Sequence, residues 1–190
     1  MTLKKNRPTI QDAKDYRIQK KPYMVSENDY FTRTEKRELL EEFINNFEKL
    51  LKNELPKARR LDLVILKCHI IIEYVLNKYI EFRCISKTDV SKERFTFSQK
   101  ISLVHMFGNF SNPTIIPSIE VINKLRNKVA HTLEIDNNLI DDLIKINSPE
   151  DIDVKSLTDN EKAKSIKRIT SSLCNFLIGT TISQIEFENL

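Results

Sequence analysis

The chain has 190 residues, of which 40% are hydrophobic and 31% charged, a balance typical of one globular domain with a sizeable core. Two glycines and six prolines are too few for the turns of an all-β sandwich or barrel, and they leave no glycine-rich loop for a nucleotide phosphate. The formal net charge of +4 permits a polyanionic partner without requiring one.

The cysteines and the apolar runs indicate the cellular compartment in which the protein is expected. Three cysteines are scattered without a CxxC pair, which favours a reducing cytoplasm over a disulfide framework. The N-terminus is basic but lacks the apolar segment of a signal peptide, and no apolar run reaches the length of a membrane span. We therefore predict a cytoplasmic protein that does not enter a membrane.

The sequence pattern in the first half of the chain predicts an N-terminal arm and two helices. Residues 1–30 are polar and lysine-rich without periodicity, so we predict a basic, loosely ordered N-terminal arm ahead of a single domain at 31–190. Apolar residues then recur at helical spacing as far as residue 55, with Thr32 or Thr34 as the cap. After Pro56, residues 59–84 are apolar around most of a helix, so this helix should be central and buried.

The sequence pattern in the second half of the chain predicts four further helices. A short one is expected at 97–107, and after the break at 108–117 Ser118 should cap the next. A short helix at 137–147 and a long helix after residue 161 complete the pattern. The fold class is therefore all-α, a bundle of four to six helices with the N-terminal arm.

The stretch LRNKVAH, residues 125–131, carries the candidate site. Arg126 interrupts an apolar row that runs through Ile119, Ile122, Val129 and Leu133. A guanidinium that is removed from water needs an anion, so its place in that row calls for a partner or a purpose. Asn127 and His131 are about 40° apart around a helix and share a face. Because the side chain of Arg126 is long, the three polar groups can converge at the rim of a groove.

Structural explanations exist for the same residues. The residue types alone fit a solvated helix face, with Arg126 extended to water or paired with an acid such as Glu73. His69 and Glu73 lie one helical turn apart, either as a hydrogen-bonded core pair or with Glu73 orienting Arg126 or His131. His105 fits a core or surface position better than a ligand. Cys68 next to His69 lacks the spacing of zinc ligands, so we predict neither a metal nor a cofactor.

The sequence RNKVAH resembles the R-x4-H motif of the HEPN superfamily, in which a polar residue directly follows the arginine. The apolar run LVILKCHIIIEYVLNKYI, with its His and Glu, is similar to an earlier helix of that superfamily. The resemblance spans residues 35–185. It implies an HEPN-like helical bundle, and many such domains are metal-independent ribonucleases of toxin–antitoxin, phage-defence and RNA-processing systems.

The resemblance implies that Arg126, Asn127 and His131 are catalytic, with weaker supporting roles for Glu73 and His69. The 2′-hydroxyl of RNA would attack the adjacent phosphate, His131 would transfer the proton and Arg126 would stabilise the added charge. Asn127 would fix the imidazole or contact the substrate. The expected products are a 2′,3′-cyclic phosphate and a 5′-hydroxyl, and DNA should not be cut.

The expected partners are RNA, a second copy of the chain in a homodimer, and an antitoxin or other regulatory protein. Two alternatives remain open. One is a catalytically silent HEPN module that binds RNA, a nucleotide or a protein. The other is an unrelated helical interaction protein.

Overall fold

A computed structural model describes residues 30–55, 57–84, 87–108, 110–148 and 153–187, without the side chains of residues 33 and 187. The described residues form six α-helices and no β-strand, which confirms the predicted all-α class. The helices are α1 Arg33–Lys49, α2 Leu61–Glu81, α3 Phe97–Phe107, α4 Ile115–Thr132, α5 Asn137–Ile146 and α6 Asp159–Phe187. The predicted arm, apart from Tyr30, lies outside the described residues.

Helix α1 begins at a reciprocal cap. The Thr32 hydroxyl accepts a hydrogen bond from the Glu35 N–H at 3.3 Å, and the Glu35 carboxylate accepts one from the Thr32 N–H at 2.8 Å. Of the two predicted caps, Thr32 is therefore the one used. The helix continues into a π-helical turn, Leu50–Glu54.

Helix α2 is the centre of the bundle, as predicted. It packs against α1, α3, α4 and α6. Its fully buried side chains include Val64, Ile72, Val75 and Leu76. Each such side chain contributes about 1.5–3 kcal/mol by leaving water, so a helix apolar around most of its surface is stable only in this position.

Helix α4 begins earlier than the sequence predicts. It starts at Ile115, so Pro117 lies in the first turn, where backbone N–H groups have no partner within the helix and a proline costs little. The prediction that Ser118 caps this helix is therefore wrong. Ser118 is fully buried and accepts a hydrogen bond from the Asn147 side chain at 2.8 Å. That bond ties α4 to the residue that follows α5.

Helix α4 ends at a strained residue. The sequence places Leu133 in the apolar row, but this residue lies beyond the helix in the left-handed conformation, with φ 57°, and it is 86% exposed. That part of the predicted row is wrong. The Cβ of a residue in this conformation crowds its own carbonyl, at a cost of about 1–2 kcal/mol. Most helices that end this way use glycine at this position.

We expect Leu133→Gly to stabilise the fold, because glycine removes the Cβ crowding and little packing is lost. Since glycine also gains entropy in the unfolded chain, the net gain should be up to about 1 kcal/mol, or roughly 2 °C in melting temperature. Leu133→Ala keeps the Cβ and serves as the control, with a melting temperature close to wild type. A glycine variant that melts no higher than the alanine variant would contradict this explanation.

Candidate functional site

The motif residues occupy the last turns of α4. Leu125 and Val129 are buried, whereas Arg126 is half-buried at the edge of that face. Arg126 donates a hydrogen bond from Nη1 to Oδ1 of Asn127 at 3.1 Å. Asn127 and His131 are exposed. The arginine therefore lies between the core and the solvent.

A pocket of about 360 Å³ adjoins this edge. Helix α2 contributes His69 and Glu73, helix α4 contributes Asn123, Arg126 and Asn127, and the start of α3 with the preceding loop contributes residues 95–98. The structure thus brings four of the five predicted site residues to one pocket. The fifth, His131, is not among the residues that line it.

The Glu73 carboxylate has a different partner from the one considered in the sequence. Lys100 on α3 donates from Nζ to Oε1 of Glu73 at 2.6 Å. Lys100 is only 5% exposed, so this ion pair is what makes its burial tolerable. Among the described residues, no ion pair includes Arg126. The interpretation of Arg126 as the partner of Glu73 therefore fails.

Lys100 is a site residue that the sequence reasoning missed. It lies one residue before Ile101 and four before Val104, both of which are buried. In the sequence, a lysine next to the apolar face of a short helix is the feature that could have predicted this ion pair. A lysine that is buried between two helices needs an acidic partner, here on α2.

His69 is enclosed, and one of its ring nitrogens has no hydrogen-bond partner among the described residues. It is 5% exposed, and its ring stacks on Phe97 with centroids 4.2 Å apart. Its Nε2 has no hydrogen-bond partner among the described residues, and no bond joins it to Glu73. The hydrogen-bonded core pair considered from the sequence is therefore not formed.

Burial lowers the pKa of His69, because an imidazolium in this position would lose its hydration. The Glu73 carboxylate opposes that shift in part, and the Arg126 cation adds to it. The histidine in the pocket is thus neutral near physiological pH. The pocket therefore combines one fixed cation, a carboxylate already paired, amide groups and an uncharged imidazole.

The remaining candidates have plain surroundings. His105 is exposed on α3, one of the two positions considered for it. Within the part of the chain that the structure describes, no three His, Cys, Asp or Glu side chains are grouped as metal ligands. In the same part, no helix is both long and apolar enough to cross a bilayer.

Comparison of the chain with protein-family models, with curated proteins and with solved structures finds no match. The HEPN resemblance therefore stays a prediction, carried by the motif at residues 126–131 and the helix at residues 63–80.

The neutral His69 predicts a pH dependence of stability. Its pKa in the folded chain is below the value of 6.5 that the unfolded chain should have. As the pH falls below about 6.5, the unfolded chain takes up this proton first, so the free energy of unfolding decreases. Urea unfolding at pH 7.5 and pH 5.5 should show lower stability at the acidic pH, and His69→Gln should remove part of that difference.

The control is His105→Gln, which removes an exposed histidine and should leave the difference unchanged. If His69→Gln retains the whole difference, protonation of His69 is not its source.

Proposed function

We propose that this protein is an HEPN-like endoribonuclease that cleaves single-stranded RNA without a metal ion. The observation that carries the proposal is the state of Arg126. Its guanidinium is half-buried at a polar pocket, bonded to Asn127, and has no anionic partner among the described residues. A positioned guanidinium with unused donors suits a phosphate, which it can bind through two parallel hydrogen bonds.

The chemistry follows from the three motif residues. RNA supplies its own nucleophile, so the protein must accept the 2′-hydroxyl proton and stabilise the charge that develops on the phosphate. His131 suits the proton transfer, and Arg126 suits the charge. Asn127 uses Oδ1 for Arg126, which leaves its N–H groups for the substrate. The products would be a 2′,3′-cyclic phosphate and a 5′-hydroxyl.

A homodimer is part of the proposal, because one chain offers an incomplete site. His131 is exposed and does not line the pocket that contains Arg126. A two-fold axis near His131 would place a second Arg126, Asn127 and His131 set opposite the first.

The biological setting proposed is a toxin–antitoxin or phage-defence system. A nuclease whose site needs no metal is active as soon as it folds and pairs. Its host would need an antitoxin or other regulatory protein that covers the site. This part of the proposal rests on the HEPN resemblance.

A binding module is the second candidate, and one observation favours it. The pocket holds Arg126 and a neutral His69 but not His131, so it can bind an anion without a group ready for proton transfer. Such a domain would bind RNA, a nucleotide or a protein and would not cut. Cleavage assays separate the two functions.

We expect the purified protein to cleave single-stranded RNA in EDTA and to leave 2′,3′-cyclic phosphate ends. His131→Ala should reduce the rate at least about 100-fold, because it removes the proton-transfer group. Arg126→Lys should fold and also lose most activity, since an ammonium lacks the planar pair of donors. Cleavage of a labelled oligonucleotide, with end-group analysis, measures all three.

His105→Ala is the matched control for His131→Ala and should cut at the wild-type rate. Cleavage that needs added magnesium, or a His131→Ala variant as active as wild type, would be incompatible with the proposed mechanism.

The homodimer predicts that activity depends on subunit mixing. When wild type exchanges subunits with excess His131→Ala protein, activity per wild-type chain should fall as mixed dimers replace wild-type pairs. Activity and mass in solution are measured on the same samples. Constant activity per wild-type chain would show that each chain carries its own site, and a monomer at micromolar concentration would contradict the homodimer.

A further inference from the structure

The pocket beside Arg126 contains groups that phosphate binding does not need. A phosphate site is built from cations and N–H donors, yet this pocket also presents a carboxylate, an amide and an exposed aromatic ring: Glu73, Asn123 and Phe95. A carboxylate repels a phosphate, so the groups beyond Arg126 suit a different part of a ligand.

Glu73 still has an open hydrogen-bonding oxygen. Lys100 donates one hydrogen bond to Oε1, which leaves that oxygen a second acceptor site, and within the described residues nothing bonds to Oε2. The Glu73 side chain is 36% exposed, so that carboxylate is accessible from the pocket that it lines. An ionised carboxylate only accepts hydrogen bonds, so its ligand must bring donors.

Phe95 offers a stacking surface at the same pocket. It is 39% exposed, and it directly precedes the cap of α3, in which Thr96 and Gln99 bond reciprocally at 3.2 and 2.8 Å. The neighbouring Phe97 is already stacked on His69. An aromatic ring that is exposed beside polar groups suits an unpaired base, because every base has a face that can stack.

We propose that this pocket binds a guanine base, with Glu73 accepting hydrogen bonds from its N1–H and N2 amino groups and Phe95 stacking on its face. This proposal rests on the proposed ribonuclease function, because the bound guanine would be a base of the RNA substrate. Arg126 and Asn127 line the same pocket, so the bound base belongs to a nucleotide next to the phosphate that they hold.

The choice of guanine follows from the hydrogen-bonding edges of the four bases. Guanine alone presents two adjacent donors, which a carboxylate can accept together. Adenine and cytosine place a ring-nitrogen lone pair beside their amino group, and uracil has one N–H between two carbonyl oxygens. Each of these would set an acceptor against the carboxylate. The cavity of about 360 Å³ is in the range of small-molecule sites.

The test is direct binding of GMP, IMP and AMP to the full-length protein by calorimetry. GMP should bind at least about tenfold more tightly than AMP, as expected when one base edge matches two hydrogen bonds and the other does not. IMP, which has N1–H but no N2 amino group, should lie between them. Equal affinities for GMP and AMP would overturn the guanine pocket.

Glu73→Gln should abolish the preference for GMP, because the amide replaces one acceptor with a donor while still offering Lys100 an oxygen. The matched control is Glu134→Gln, an exposed glutamate after α4. If Glu73→Gln does not fold, Phe95→Ala decides through affinity. It should weaken the binding of all three nucleotides, whereas Phe107→Ala, at an exposed phenylalanine away from the pocket, should not. Unchanged binding in Phe95→Ala would overturn the stacking role.

The same preparation is assayed for RNA cleavage, so that the two proposals fail separately. Cleavage without selective GMP binding would overturn the proposed guanine pocket but would still support the proposed ribonuclease function. Selective GMP binding without cleavage would support the pocket and favour the binding module. In an active enzyme, cuts confined to positions next to guanine would support the pocket, and cuts independent of guanine would overturn it.

Discussion

The ion pair between Lys100 and Glu73 decides what the rest of the site can do. A lysine that is 5% exposed would be costly without an anion, and the Glu73 carboxylate at 2.6 Å supplies it across the contact between α2 and α3. Because Glu73 is committed to this lysine, it does not neutralise Arg126. The guanidinium of Arg126 therefore has no anionic partner among the described residues, and nothing there bonds to Oε2 of Glu73.

Much of the fold was predictable because it depends on local pattern. The helix at Phe97–Phe107 has the predicted bounds, and the apolar α2 is central. The errors at Ser118 and Leu133 also have local causes. The sequence pattern treats Pro117 as a break, although the first turn of a helix tolerates a proline. It also extends the apolar row to Leu133, although the chain adopts the left-handed conformation there.

The site was only partly predictable, because its contacts join distant segments. Spacing placed Asn127 and His131 on one face of a helix. It could not show that packing of α2 against α4 brings His69 and Arg126 to the same pocket, nor that Lys100 would reach Glu73 from α3. Such pairings are properties of the packed bundle, and a hydrophobic repeat carries no information about which helices meet.

His69 cannot replace His131 in the proposed chemistry, although it lines the same pocket as Arg126. Its Nε2 is buried, and desolvation lowers its pKa, so it has neither access to a substrate hydroxyl nor the basicity that suits proton transfer at neutral pH. His131 is accessible but lies outside the pocket. In the proposed mechanism, recognition and proton transfer therefore fall on different surfaces of the chain, and a second copy or a bound strand would bring them together.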